Sequence, residues 1–335
     1  MSPDGRYVVY SQQKTDKNSE KKYTNLWLAD LSVAGSAPRQ FTYGNQSDVN
    51  PQWSPDGQSI AFVSNRGNER QMQIYVIPLL GGEARPITQL EGSIGGFAWS
   101  PDGTKFVLTF TQKDEAVKAR EEDEQKKQLG VVERHITEVL YKFDGAGYLP
   151  QEKPHIWVVD AETGEATQLT DGVSGESEPI WSPDGAQILF SATRSENWEF
   201  DEVNDFYLMP ATGGDAVPIV AHDGAKYAPS FSPDGRLLAY RGRHRKDGHW
   251  YQNEDLFVVP LASDDGTVRN LSRPYDHCMG TSTLGDFGSP APQPAPTWSP
   301  DGRYVYGTST RHGGNPLLRF GVGYFRYNSS SQRSR

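Results

Sequence analysis

Trp53-Ser54-Pro55-Asp56-Gly57, running directly into Gln58-Ser59-Ile60-Ala61-Phe62-Val63, is the stretch on which the fold turns. Proline presets φ for the first turn position, aspartate can bond the local backbone, and glycine accepts positive φ, so the chain reverses into a hairpin. The apolar run that follows reads as a strand. The same tetrapeptide begins at Ser2, Ser54, Ser100, Ser182, Ser232 and Ser299, and an aromatic residue precedes five copies: Trp53, Trp99, Trp181, Phe231 and Trp298. Each copy leads into a strand, as in Tyr7-Val8-Val9-Tyr10, Phe106-Val107-Leu108, Ile188-Leu189-Phe190, Leu237-Leu238-Ala239-Tyr240 and Tyr304-Val305-Tyr306.

Further along each unit comes a third strand: Leu26-Trp27-Leu28, Ile74-Tyr75-Val76, Ile156-Trp157-Val158, Phe206-Tyr207-Leu208 and Leu256-Phe257-Val258. A Gly-rich or acidic turn then leads to a fourth, such as Pro86-Ile87-Thr88 or Gln168-Leu169-Thr170. Four antiparallel strands per unit, repeated at intervals of 46 to 82 residues, describe an all-β propeller. A β-sandwich would not place one turn in one register six times. The expected blades span about 2–42, 51–88, 97–170, 179–220, 229–272 and 296–320, the last one incomplete, with a disordered tail over 321–335. No strand precedes Ser2 and no fourth strand is readable after Tyr306. Both ends therefore read as cuts through an array, and incomplete closure is expected.

Lys and Arg number 33 against 43 Asp and Glu, a formal charge of −10. That balance argues against nucleic acid and anionic membrane as partners, since a phosphate-binding face needs clustered positive charge. Mean hydropathy is −0.68, and no apolar run nears the ~18 residues needed to span a bilayer. Cys278 is the lone cysteine, which excludes an internal disulfide and a multi-cysteine zinc site. With neither a basic start nor an apolar stretch at Met1-Ser2-Pro3, a cytoplasmic protein is expected.

Turns between first and second and between third and fourth strands are short. Every long segment (111–155, 194–205, 243–255 and 273–295) falls in second-to-third loops or blade-to-blade connections, which share the other face. Long loops on a rigid scaffold are where binding usually sits. Twelve residues after each motif serine stand Lys14, Arg66, Gln112, Arg194, His244 and Arg311. These read either as a basic collar holding a carboxylate or a docked domain, or, preferably, as stems covering aromatic edges with solvated heads. Within the insertion of the third unit, Glu115–Gln128 reads as an exposed charged helix.

Catalytic signatures are lacking. No Gly-x-Ser-x-Gly elbow, P-loop, Gly-x-Gly-x-x-Gly or His-Glu-x-x-His occurs, so no catalytic triad, cofactor or metal site is expected.

The Trp-Ser-Pro-Asp-Gly repeats resemble the WD-like blades of TolB and of the prolyl-oligopeptidase family. Several stretches look like the acylaminoacyl-peptidase branch: Phe62-Val63-Ser64-Asn65-Arg66, Gly81-Gly82-Glu83-Ala84-Arg85, Phe143-Asp144-Gly145-Ala146-Gly147-Tyr148 before His155-Ile156-Trp157-Val158, and Asn253-Glu254-Asp255-Leu256-Phe257 followed by Asp276-His277-Cys278. The resemblance implies a seven-bladed propeller that gates short peptides to an α/β-hydrolase domain. It identifies the chain as the propeller portion of such a peptidase, with no catalytic residue to carry over. Asp276-His277 stands where Asp-Arg is expected. Lys14, Arg66, Arg194, His244, Arg311, Arg134, Asp144, Tyr148 and Asp276 are the candidates for contact with peptides or with a hydrolase domain. A stand-alone TolB-like protein-binding propeller is the alternative.

Overall fold

A computed structural model describes residues 1–68, 71–129, 135–144, 146–201, 203–219, 222–244, 252–261, 267–275, 277–280, 293–311 and 313–323. The motif turn is the same in all six copies. The serine hydroxyl donates to the aspartate carboxylate at 2.6 Å. It also accepts the backbone N–H five residues on, at Tyr7, Ser59, Lys105, Gln187, Leu237 and Tyr304. Each motif serine is buried, so its polar atoms need these partners. The glycines sit at φ between +68° and +73°, a region open to them at no steric cost. In each copy the serine hydroxyl is the first cause holding the aspartate carboxyl below its ordinary range.

The chain forms two compact units. The first, Met1–Trp181, opens with a three-stranded sheet of Tyr7–Thr15, Lys22–Asp30 and Arg39–Gln40. A four-stranded sheet follows: Asp48–Trp53, Ser59–Ser64, Gln73–Pro78 and Arg85–Pro86. The next holds Gly92–Trp99, Lys105–Gln112, Pro154–Asp160 and Ala166–Gln168, and the strand Glu176–Trp181 closes the unit. The second unit carries Gln187–Ala192, Asp205–Pro210 and Val217–Pro218. Then come Lys226–Phe231, Leu237–Gly242, Asp255–Pro260 and Arg269–Asn270, and finally Thr297–Trp298, Tyr304–Thr308 and Leu317–Gly321. Strands within each sheet neighbour one another in chain order. This is the up-and-down connection of propeller blades.

From the second sheet to the fifth, the second strands are buried along most of their length because both of their faces are covered, whereas Tyr7–Thr15 of the first sheet has one buried residue. Ile60 and Phe62 enter one core with Leu26 and Leu28 of the first sheet. Their neighbours Ala61 and Val63 enter another with Phe97, Phe106 and Leu108 of the third. Alternate side chains of one strand therefore serve two interfaces, which is why the sequence there is continuously apolar. In the second unit Leu237, Ala239, Leu256, Val258, Trp298, Val305 and Phe320 build the corresponding core. Motif turns of successive sheets also meet within each unit. A methyl group on Gly57 would lie 3.3 Å from Pro3, one on Gly103 would lie 3.5 Å from Pro55, and one on Gly235 would lie 3.5 Å from Pro183.

Three details differ from the sequence reading. The helix expected over 115–128 is two helices, α1 (Glu115–Glu122) and α2 (Glu124–Gln128), broken at Asp123, whose extended backbone lets its carboxylate cap α2 through Gln125 and Lys126 N–H. Ordered structure runs past residue 320, since Gly321 is in a strand and Val322 packs into the core. First strands carry a residue at positive φ four positions before the motif serine, at Asn50, Glu178 and Ala228. The pairing register shifts around Asn50 and Ala228.

Candidate functional site

Eight residues after the motif serine, the second strand presents an aromatic ring that stacks on its cross-strand neighbour. Phe62 pairs with Tyr75 at 6.1 Å between ring centroids, and Phe190 pairs with Tyr207 at 5.8 Å. Four residues later an arginine folds back over the pair. Arg66 lies 5.0 and 5.4 Å from the Phe62 and Tyr75 centroids, and Arg194 lies 5.5 and 4.3 Å from those of Phe190 and Tyr207. Both are cation–π distances. Arg66 further donates to Asp48 Oδ2 at 2.7 Å, and that carboxylate is wholly buried. In both, the guanidinium head itself lies over the rings, and in Arg66 that head also pairs with Asp48 rather than standing solvated.

The fifth sheet uses a different residue for the same task. Its ring pair is Tyr240 and Phe257, and His222 lies over both with centroids 5.7 and 4.2 Å away. Because a carbonyl only accepts, His222 Nε2 carries the proton and donates to Arg243 O, leaving Nδ1 to accept from the Tyr240 hydroxyl at 2.9 Å. Burial lowers the His222 pKa to about 4 and pushes the Tyr240 hydroxyl up. His244, the residue at the repeat position, is exposed, as are Lys14 and Arg311. Sequence reasoning missed His222. The available signal was a ring pair whose twelfth-position residue is not arginine.

The insertion between Lys105–Gln112 and Pro154–Asp160 holds α1, α2 and a small hairpin of Lys142–Phe143 with Gly147–Tyr148. Neither helix buries a residue. Asp114 stands before α1, where its carbonyl accepts the Val117 and Lys118 N–H groups but its side chain makes no cap bond. Its carboxylate instead accepts the N–H groups of Gln151 at 3.3 Å and Glu152 at 3.0 Å, clasping the returning chain. Lys113 pairs with Glu121, and Lys153 with Glu138. Between α1 and the return lies a cavity of about 480 Å³, walled by Val117, Ile136, Leu140, Tyr141, Tyr148 and Leu149 among others. Tyr148 thus lines it, while Asp144 does not and is exposed at the hairpin turn. Arg134 and Asp276 lie outside the described residues.

In the second unit a smaller cavity of about 340 Å³ is lined by Arg194, Asp201, Asp205, Tyr207 and Asp223. Asp205 there holds the buried Lys226 ammonium at 2.6 Å. Among the described residues the exposed Phe and Tyr side chains are Tyr43, Tyr141, Phe143, Tyr148, Phe200 and Tyr275. All six fall in second-to-third loops or sheet-to-sheet connections. Among the described residues the exposed large hydrophobic side chains of the opposite turns are aliphatic, such as Leu31, Val33 and Leu80. Aromatic residues are enriched where surfaces bind.

Comparison with known proteins follows the same lines. Residues 1–137 match the family model of the TolB beta propeller domain. The chain is similar to the protein of Bacillus subtilis named uncharacterized peptidase YuxL, 30% identical over 209 residues that make up 62% of this chain and 31% of the relative. It is also similar to dipeptidyl-peptidase 5 of Porphyromonas gingivalis, 29% identical over 228 residues, 64% of this chain and 32% of that protein. Its fold matches the acylaminoacyl peptidase of Pyrococcus horikoshii with a TM-score of 0.67 at 20% identity, over 94% of this chain and 43% of the other. The fold is that of a TolB-like β-propeller. More narrowly, over about two thirds of its length the chain is similar to proteins named as peptidases, and it spans about a third of the length of both. Among the described residues no helix is long and apolar enough to cross a membrane.

Proposed function

We propose that this chain is the peptide-selecting propeller of an acylaminoacyl-peptidase-like serine peptidase. Six blades of a seven-bladed array lie in this chain, and hydrolysis belongs to an α/β-hydrolase domain outside it. The single observation that carries the reading is the placement of the exposed Phe and Tyr side chains among the described residues, and of the insertion with its cavity, on one set of loops. A rigid sheet scaffold with elaboration confined to such loops is suited to admitting short extended chains and excluding folded ones. Resemblance to proteins named as peptidases supports peptides as what is admitted. A reducing, cytoplasmic setting suits a chain with one cysteine.

Fluorescent peptides of six to ten residues provide the test. The chain binds them, and replacing residues 114–151 by a short Gly-Ser turn weakens binding at least tenfold. Binding of folded proteins in preference to peptides, or unchanged peptide affinity without the insertion, overturns the reading. The first of those results would favour a TolB-like protein-binding role.

A further inference from the structure

We infer that the cavity in the insertion is a side-chain pocket for peptides presenting an uncharged aliphatic or aromatic residue, an inference that rests on the peptide-selecting reading. Its apolar wall comes from three segments: Val117 on α1, Ile136 and Leu140 on the return, and Tyr148 on the hairpin. All four side chains remain exposed. Neither helix of the insertion buries a residue, so this apolar surface stays in contact with water until something covers it. At about 480 Å³ the cavity lies within the range of ligand sites and holds one large side chain with the adjoining main chain.

Charge decides which side chain enters. Asp114 spends both carboxylate oxygens on the Gln151 and Glu152 amides, Glu138 pairs with Lys153, and Arg120 is engaged as well. Asp114 and Glu138 stand against Arg120 and Lys153, so a lysine or glutamate entering would give up hydration without a net counter-charge to replace it. An apolar residue would instead remove its own surface and that of Val117, Leu140 and Tyr148 from water. His135 and Thr137, which also line the cavity, are polar residues at hand for the peptide main chain.

The test uses blocked amino-acid amides, read by ligand-observed NMR on the intact chain. N-acetyl-phenylalanine amide and N-acetyl-leucine amide bind, while the lysine and glutamate amides bind at least tenfold more weakly. Val117→Asp and Leu140→Gln each lower phenylalanine-amide affinity at least tenfold. Leu80→Gln, a fully exposed leucine on an opposite turn, leaves it unchanged. Equal binding of charged and apolar amides, binding unaffected by both pocket variants, or no binding at all overturns the inference. Peptides that bind without this selectivity sink the pocket assignment alone. Selective amide binding by a chain that takes up no six-to-ten-residue peptide sinks the peptide-selecting reading instead.

Discussion

Arg66 and Arg194 hold the same place in the repeat and carry different weights. Removing Arg66 leaves Asp48 buried and charged with its cationic partner gone, so Arg66→Ala should cost about 3 kcal/mol. Arg194 is an exposed side chain over the Phe190 and Tyr207 rings, and at an exposed position Arg194→Ala should cost about 1 kcal/mol. Urea midpoints of the two variants measure the contrast, and equal losses would mean the Asp48 pair adds nothing. His222 brings pH dependence. Its folded pKa is about 4 against an ordinary 6.5. Between those values the unfolded chain therefore takes up a proton that the folded chain refuses, and stability falls as pH drops across that window. His222→Phe keeps the ring stack and should flatten the pH 6.5-to-4 slope of the urea midpoint. A slope identical to that of the parent chain would show that His222 is not its source. Below that window the motif aspartates act in the same direction. Their folded values lie under the ordinary 3.8, at about 2 for Asp301. The stability they contribute is present above pH 4 and is lost as pH falls toward 2.

Among the turns, similar backbone angles hide unequal constraints. Gly5 and Gly164 both have positive φ, +73° and +75°, yet a methyl group on Gly5 meets nothing within 4 Å while one on Gly164 would lie 2.2 Å from the Ile87 carbonyl oxygen. Gly5→Ala should therefore cost only the left-handed strain of roughly 1–2 kcal/mol. Gly164→Ala must also push apart the second and third sheets of its unit, and its loss should be on the order of 4 kcal/mol. Thermal unfolding of both variants decides this, and a Gly164→Ala loss as small as that at Gly5 would mean the turn can shift freely. The insertion follows another logic. It is held by the Asp114 clasp rather than by a core. Asp114→Ala should accordingly speed protease cleavage within 114–151 while the melting temperature moves by less than about 2 °C. A large fall in melting temperature would instead tie the clasp to the fold.

At the scale of the molecule, the propeller supplies a scaffold and the loops supply whatever selectivity it has. Gly172-Val173-Ser174-Gly175-Glu176 lacks the terminal glycine of a nucleophile elbow. On the proposed reading, in which hydrolysis belongs to another domain, the chain by itself should leave aminoacyl and acyl-peptide chromogenic substrates intact. Turnover abolished by a serine-directed inhibitor would place a nucleophile on this polypeptide and undo that view.

The blades were legible in the sequence because each motif turn is locally determined. Proline, aspartate and glycine in sequence, with a serine to bond the aspartate, make the same hairpin wherever they occur, and the apolar runs beside them have one way to bury both faces. The arginine caps are partly legible for a related reason, since a long side chain two residues past the strand end can fold back over the ring on that strand. A non-arginine at the twelfth position signals a different cap in the fifth sheet, but not that it is His222, which reaches Tyr240 and Phe257 from a connection whose path depends on the packed sheets. The left-handed residues Asn50, Glu178 and Ala228 were equally hidden, since none is glycine and only the sheet pairing compensates their strain. The pocket in the insertion likewise exists only because the Asp114 clasp brings α1 against the returning chain, a contact across some 37 residues that no local pattern encodes.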